Sequence, residues 1–266
     1  MPTLDRPDVR LHYEDTGRGP ALLLVAGLAS DSMSWQPVVA PLAAAFRLIR
    51  PDNRGAGRTT PQDAESSIDA MADDCAALIR HSGVARAHVA GHSMGGFVAR
   101  RLAIRHPALV DRLVLVASGE RAGGRNLALF RDLADDYPPA TDAADWFRRL
   151  FDLIFTPRFL ADPEKAGAAL RWALDYPVPQ SAAGFRRQVE AMAAFEETGG
   201  GDAGRIAVRT LVVGGAADRL FPPEELRSYA RTIAGARAAM IDDAAHAVHT
   251  ERPDAFVAEV FAFLAR

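Results

Sequence analysis

The stretch that decides the fold is Ala87-His88-Val89-Ala90-Gly91-His92-Ser93-Met94-Gly95-Gly96-Phe97-Val98-Ala99-Arg100. It begins as a short β-rich run, and from Phe97 onward its apolar residues have the spacing of a helix. Between the two lies G-x-S-x-G, in the strand–turn–helix context that this motif needs. Because a sharp turn leaves little room, Gly91 and Gly95 remove side chains that would clash. The stretch therefore predicts that Ser93 is a nucleophile at the end of a strand.

Short apolar runs and longer helical stretches alternate along the rest of the chain. Runs of Val, Leu and Ile are typical of parallel strands that are buried on both faces. The predicted strands are Ala21–Ala26, Phe46–Pro51, Ala87–Ala90, Arg112–Ala117, Arg209–Gly214 and Ala236–Ile241. The predicted helices include 67–81, 97–104 and 253–264. This alternation predicts an α/β fold with a doubly wound, mostly parallel sheet, and Arg10–Glu14 is a candidate antiparallel edge.

Residues 119–205 break this alternation, since they contain no convincing strand. They hold 11 of the 20 aromatic residues, are helical in pattern and end in a glycine-rich linker. An insertion of this length in a parallel sheet is rarely only a connector. We therefore predict a core formed by residues 1–118 and 206–266, with a helical lid at 119–205. Trp146 and Phe147 are candidates for the wall of a substrate pocket, and they fit the lid's own core equally well.

The composition excludes several functional classes. Lys and Arg number 31 against 34 Asp and Glu, and the net charge of −3 leaves no broad basic face for nucleic acid. The longest apolar run, residues 21–29, is too short for a membrane span, and the first residues lack the apolar segment of a secretory signal. Cys75 is the single cysteine, so we expect no disulfide, no cysteine-rich metal site and a reducing compartment, most simply the cytoplasm.

A serine nucleophile needs a base, and the base needs an acid that orients it. His246 lies in the loop between the last predicted strand and the C-terminal helix, and its small neighbours allow close approach, so it is the preferred base. His249, in the same loop, is expected to be a structural or substrate contact. Asp218 follows a buried strand, at the edge where α/β active sites collect, and is the preferred acid. The order Ser93, Asp218, His246 is the one that this architecture uses, and Glu120 is the weaker alternative acid.

These features together resemble the α/β-hydrolase fold superfamily, in its serine-nucleophile branch, over nearly the whole chain outside 119–205. The matching blocks are Val25-Ala26-Gly27-Leu28, Asp52-Asn53-Arg54-Gly55-Ala56-Gly57-Arg58, the serine turn and the final Asp and His. The resemblance is to esterases, 3-oxoadipate enol-lactonases and cofactor-free haloperoxidases, and it implies no cofactor and no metal. It also implies an oxyanion hole formed by the backbone N–H groups of Leu28 and Met94. Ala26 departs from the family, which commonly has histidine at that position.

The expected function is that of a serine hydrolase. It would cleave an ester or lactone of a small, largely apolar carboxylic acid through an acyl-enzyme on Ser93. Phe221, just after the acid, joins Trp146, Phe147 and His249 as a candidate pocket residue. The same three residues also serve perhydrolysis, C–C bond hydrolysis or pyruvate elimination in similar proteins, and slow-turnover small-molecule receptors keep them too. The expected partner is a small-molecule substrate, without nucleic acid or membrane, for a monomer or homodimer.

Overall fold

The computed structural model describes residues 2–265, and an eight-stranded sheet runs through them. The strands are β1 (Thr3–Asp5), β2 (Arg10–Thr16), β3 (Ala21–Val25), β4 (Arg47–Pro51), β5 (Ala87–His92), β6 (Val110–Val116), β7 (Arg209–Gly215) and β8 (Arg237–Ile241). Their order in space is β1-β2-β4-β3-β5-β6-β7-β8. The pairs β1–β2 and β2–β4 are antiparallel, and the other neighbouring pairs are parallel. This confirms the predicted mostly parallel α/β sheet.

Helices cover both faces of the sheet, as a doubly wound fold requires. They are α1 (Gln36–Ala43), α2 (Ile68–His81), α3 (Met94–Arg105), α4 (Gly124–Asp135), α5 (Ala143–Ile154), α6 (Pro157–Leu160), α7 (Pro163–Leu174), α8 (Ala182–Thr198), α9 (Pro223–Thr232), α10 (Val248–Glu251) and α11 (Pro253–Leu264). The alternation of side chains along β3 builds the two layers. Leu22 and Leu24 belong to the core that contains α1 and α11, whereas Leu23 and Val25 belong to the core that contains α2 and α3.

Two sequence predictions about element boundaries need correction. The segment Arg10–Glu14 lies in β2, which is the second strand, and the antiparallel edge is β1. A strand of three residues is too short to show the alternation by which strands are recognised. The helix predicted from Phe97 begins at Met94, directly after the serine. The sequence does not reveal this first turn, because Gly95 and Gly96 weaken the helical pattern there.

Residues 119–205, named the insertion from here on, contain α4 to α8 and no strand, and they lie between β6 and β7. Their centre is an aromatic cluster in which Trp146 contacts Tyr137, Phe147 and Phe185. Helix α7 has no buried residue, and its Trp172 is 55% exposed. No helix within residues 2–265 combines the length and the apolar character needed to cross a membrane.

Both ends of the insertion are attached to one side chain of the core, Arg100 in the middle of α3. The Arg100 guanidinium is buried and donates hydrogen bonds to the carbonyl oxygens of Glu120 at 2.8 Å and Gly199 at 2.6 Å. It also lies 5.0 Å from the centre of the Phe195 ring. A buried charge needs such partners, and here they come from the first and last segments of the insertion.

Candidate active site

The turn between β5 and α3 holds Ser93 in a backbone conformation that non-glycine residues rarely adopt. Its φ is 54° and its ψ is −119°. A Cβ atom at Gly91 would lie 2.0 Å from the Gly95 carbonyl oxygen, and one at Gly95 would lie 2.3 Å from the Val25 carbonyl oxygen. Neither position therefore accepts a larger residue. The Ser93 N–H donates to the Val116 carbonyl at 2.9 Å, which anchors the strained residue to the neighbouring strand.

Asp218 and His246 form a buried pair. Oδ2 of Asp218 lies 3.0 Å from Nδ1 of His246, and Oδ1 accepts from the N–H groups of Leu220 at 2.8 Å and Phe221 at 3.0 Å. Both Asp218 and His246 are 3% exposed. Since a carboxylate oxygen accepts hydrogen bonds, Nδ1 is the donor, and Nε2 is the ring nitrogen left to act as a base.

His92, the neighbour of Ser93 in the chain, links the serine turn to the loop of His246. Nε2 of His92 donates to the His246 carbonyl at 3.0 Å, and the two ring centres are 4.8 Å apart. Burial lowers the pKa of His92 well below its ordinary value, and His249 and His246 nearby lower it further. His92 is therefore neutral, with its proton on Nε2. The link brings Ser93, His246 and Asp218 together at the carboxyl ends of β5, β7 and β8.

The loop after β3 passes directly over the serine. A Cβ atom at Gly27 would lie 3.2 Å from Cβ of Ser93, so the loop approaches the nucleophile as closely as its backbone allows. Leu28 follows in this loop, and Met94 is the first residue of α3. Within residues 2–265, neither the Leu28 N–H nor the Met94 N–H donates to a protein group. Two backbone donors near the serine are thus unused by the fold.

The block at 52–58 contributes a hydrogen bond to the loop after β3. Nδ2 of Asn53 donates to the Ala26 carbonyl at 2.9 Å. Nε of Arg54 donates to Asp74 at 2.6 Å, and Arg54 also pairs with Asp8. The pairing raises the pKa of the Arg54 guanidinium despite its burial and lowers that of Asp8. Ala26 has no polar side chain that could fix the loop, and its backbone carbonyl is held by Asn53.

Two candidate pocket residues lie against the buried pair. The Phe221 ring stacks on His246 with centres 5.8 Å apart and an angle of 20° between the planes. His249 is buried against Trp35, with ring centres 4.6 Å apart, and its Nδ1 has no hydrogen-bond partner among the described residues. Burial, together with the nearby His246, lowers the pKa of His249 to about 4. Phe221 thus provides an apolar surface beside His246, whereas the ring of His249 packs on Trp35.

Trp146 and Phe147 lie in the insertion. Trp146 is buried, and its indole N–H donates to the Leu133 carbonyl at 2.9 Å within the same segment. Phe147 packs edge-on against Trp146 and reaches Phe151. For Trp146 these contacts are those of the insertion's own core, which was one of the two interpretations open from the sequence.

The alternative acid Glu120 is engaged elsewhere. Its Oε1 accepts from the Gly201 N–H at 2.5 Å, at the far end of the insertion. Among the described residues, no group of three or more His, Cys, Asp or Glu side chains could hold a metal ion.

One residue near the site was not predicted from the sequence. Glu251, in α10, accepts backbone hydrogen bonds on both sides of the site, and no periodicity or motif marks a carboxylate in that role.

Comparisons with known proteins identify the fold family. Residues 20–253 match the family model for the alpha/beta hydrolase fold. A protein of Agrobacterium fabrum named "Putative carbamate hydrolase RutD" is 30% identical over 264 residues, covering 96% of this chain and 98% of its own. One of Mycobacterium tuberculosis named "Putative non-heme bromoperoxidase BpoC" is 33% identical over 267 residues, covering 97% and 98%. The enol-lactonase structure from Burkholderia xenovorans LB400 has a TM-score of 0.86 at 29% identity, covering 100% of both chains.

The chain therefore belongs to the α/β-hydrolase fold family. The match runs through the core and the insertion alike, since it begins before β3 and ends within the first turn of α11. The relatives carry names for different reactions, and within one fold the reaction is decided by the site and not by the scaffold.

Proposed function

We propose that this protein is a serine hydrolase that cleaves an ester or lactone of a small, largely apolar carboxylic acid through an acyl-enzyme on Ser93. The observation that carries the proposal is the buried Asp218–His246 pair beside a serine held at a φ of 54°. A purely structural turn needs neither a strained non-glycine residue nor a buried carboxylate–imidazole pair. Such features are concentrated at functional sites.

The reaction follows from the roles that these groups can take. Ser93 Oγ attacks the acyl carbon while Nε2 of His246 takes its proton, and Asp218 stabilises the imidazolium that forms. The N–H groups of Leu28 and Met94 receive the developing oxyanion, a contribution of about 3 kcal/mol per donor in similar sites. His246 returns the proton to the leaving alcohol, and water, activated by the same ring, then releases the acid. The first turn of α3 adds the positive end of its dipole.

The apolar character of the acid is inferred from the walls of the site. Phe221 stacks on His246, which places an aromatic ring beside the proposed base, and the Phe221 ring also contacts Phe97. Aromatic surfaces of this kind bind alkyl or aryl groups by burial of apolar area. The structural similarity to an enol-lactonase supports a carbonyl substrate of the ester or lactone type.

The test is hydrolysis of p-nitrophenyl esters from acetate to octanoate. Wild type is expected to turn over many times, and Ser93→Ala is expected to lose that turnover. Ser228→Ala, at an exposed serine of α9, is the matched control and should behave as wild type. Mass spectrometry of the trapped intermediate should place the acyl group on the Ser93 peptide. Turnover that survives Ser93→Ala would exclude the mechanism, and one burst without turnover would favour a receptor.

The relative named as a bromoperoxidase favours perhydrolysis as a second candidate. In that reaction hydrogen peroxide replaces water as the attacking group on the same acyl-enzyme, and the released peracid oxidises bromide. A bromination assay decides between the two candidate reactions. Bromination that needs acetate, peroxide and Ser93, at a rate above that of ester hydrolysis, would favour perhydrolysis.

A further inference from the structure

A single carboxylate joins the loop of His246, here named the base loop (residues 242–247), to the insertion. Glu251 accepts from the Thr156 N–H, at 2.7 Å on Oε1 and 3.3 Å on Oε2. Its Oε2 also accepts from the Ala245 N–H at 3.0 Å. Thr156 lies between α5 and α6 of the insertion, and Ala245 directly precedes His246. Hydrogen bonds to a charged acceptor are about twice as strong as neutral ones.

A second hydrogen bond joins the same two segments on the other side of the base. The Ala247 N–H donates to the Ile154 carbonyl at 3.0 Å. Ile154 is the last residue of α5, two positions before Thr156. Both chain neighbours of His246 are thus held, directly or through Glu251, by residues 154–156 of the insertion, here named the α5–α6 corner.

Weaker contacts surround these bonds. Arg158 pairs with Asp243 at 3.1 Å, and Arg219, next to the proposed acid, donates to the Asp152 carbonyl. Both side chains are exposed, and exposed ion pairs contribute little. Glu251 is partly buried, and its carboxylate satisfies two backbone donors at once, so it is the strongest link between the corner and the base loop.

The link bears on the proposed base because that residue is buried among the segments that the link joins. Ser93 is 4% exposed and His246 is 3% exposed. A movement of the corner between α5 and α6 would draw the base loop with it, because the two share Glu251. A displacement of about 1 Å in a catalytic group can lower the rate about 100-fold.

We propose that Glu251 is a positioning residue. It couples the position of His246 to the position of the α5–α6 corner. The base is then in its productive place only while that corner keeps its position. This inference rests on the proposed function, since it assigns a role relative to the proposed base. It adds the α5–α6 corner to the groups that hold the loop of the proposed base.

The test compares Glu251→Gln with Glu196→Gln. Glu196 is the matched control, because its Oε2 accepts from the Gly123 N–H at 3.1 Å entirely within the insertion. In Glu251→Gln a single amide oxygen replaces two carboxylate oxygens, so either the Ala245 bond or the 2.7 Å bond from Thr156 is lost, together with the charge that strengthens both. We expect kcat to fall about 10- to 100-fold with little change in KM. Amide hydrogen exchange should rise together at 154–158 and 243–247. Glu196→Gln should change none of these quantities, and Glu251→Asp should lie between wild type and Glu251→Gln.

The outcomes separate this inference from the proposed function. Unchanged kcat in Glu251→Gln, or faster exchange at 154–158 alone, would overturn the coupling while leaving the hydrolase intact. Ester turnover that survives Ser93→Ala would instead overturn the proposed function, and the exchange pattern would still report whether the segments move together. If Glu251→Gln does not fold, Glu251→Asp alone decides, and wild-type kcat and exchange in that variant would overturn the proposal.

Discussion

The sheet core and the insertion are built on different principles. Strands β3, β5 and β6 are almost wholly buried, and packed apolar side chains determine their positions. The insertion has one aromatic cluster around Trp146, whereas α7 buries no residue at all. Its helices α4 and α8 pack buried apolar residues into the same core as α2 and α3, and polar links through Arg100 and Glu251 join it further to the core. The proposed catalytic residues thus lie at the ends of packed strands, whereas α7 of the insertion lies outside the core.

The distribution of backbone strain follows the same division. In residues 2–265 the non-glycine residues with positive φ are Ala29, Ser93, Ala117 and Asp243. They come after the carboxyl ends of β3, β5, β6 and β8, and none lies in the insertion. Strained residues persist only where the surroundings over-determine them. The packed sheet provides that support, and the insertion does not.

The largest expected effect is on the core side, at Asp218. Asp218→Asn keeps an oxygen for the N–H groups of Leu220 and Phe221 but presents an amide to Nδ1 of His246. The ring is then driven to the wrong tautomer, and kcat should fall about 10⁴-fold. The measurement is ester turnover together with the melting temperature. Asp243→Asn, at an exposed carboxylate of the base loop, is the control and should retain wild-type kcat. Equal losses in the two variants would contradict the role given to Asp218.

The second largest expected effect is at Arg100, where the sheet core meets the insertion. Arg100→Met removes the donors that hold the carbonyl groups of Glu120 and Gly199, and it leaves those groups unpaired. Hydrogen bonds from a charged group contribute about 1.5–3 kcal/mol each, so we expect the free energy of unfolding to fall by about 3 kcal/mol. Arg148→Met breaks an exposed pair with Asp145 and should cost less than about 1 kcal/mol. Urea denaturation measures both, and a similar cost in the two variants would mean that Arg100 does not join the regions.

The core could be predicted from sequence because its signals are local. The serine turn is a motif flanked by a strand and a helix, and buried parallel strands are continuous apolar runs. Asp218 and His246 follow from their places after strands, and the structure brings them within 3.0 Å of each other. Only β1 was missed, since three residues are too few to show a period.

The insertion could not be predicted in the same way. Its helices are recognisable, but which aromatic residue faces which neighbour depends on how those helices pack. Trp146 fitted a pocket wall and a core equally well until its contacts with Tyr137 and Phe185 were known. Glu251 shows most clearly what could not be predicted from the sequence. It is 95 positions from Thr156, and a backbone donor has no sequence signature.

Stability at low pH should be governed by the core, through the buried histidines His92 and His249. Burial lowers the pKa of both, and that of His249 is about 4 in the folded protein against an ordinary value of 6.5, so the unfolded chain binds the proton first as the pH falls. Stability is therefore lost between about pH 6.5 and about pH 4, and the part of the loss due to His249 is about 2 kcal/mol at about pH 5. His249→Phe keeps the packing against Trp35 and removes the titration. Urea unfolding at about pH 7.5 and about pH 5 should show a smaller loss in the variant, and an equal loss would assign the effect to other groups.

The smallest expected effect is in the insertion, at Trp172 of α7. This side chain is 55% exposed and contacts Tyr176, with ring centres 5.6 Å apart. Trp172→Ser removes little buried surface, so the free energy of unfolding should change by no more than about 0.5 kcal/mol. Leu174→Ser, at 44% exposure on the same helix, should behave alike. Urea denaturation is the measurement. A loss of more than about 1 kcal/mol would mean that α7 is packed as firmly as the sheet, and the contrast between the two regions would not extend to this helix.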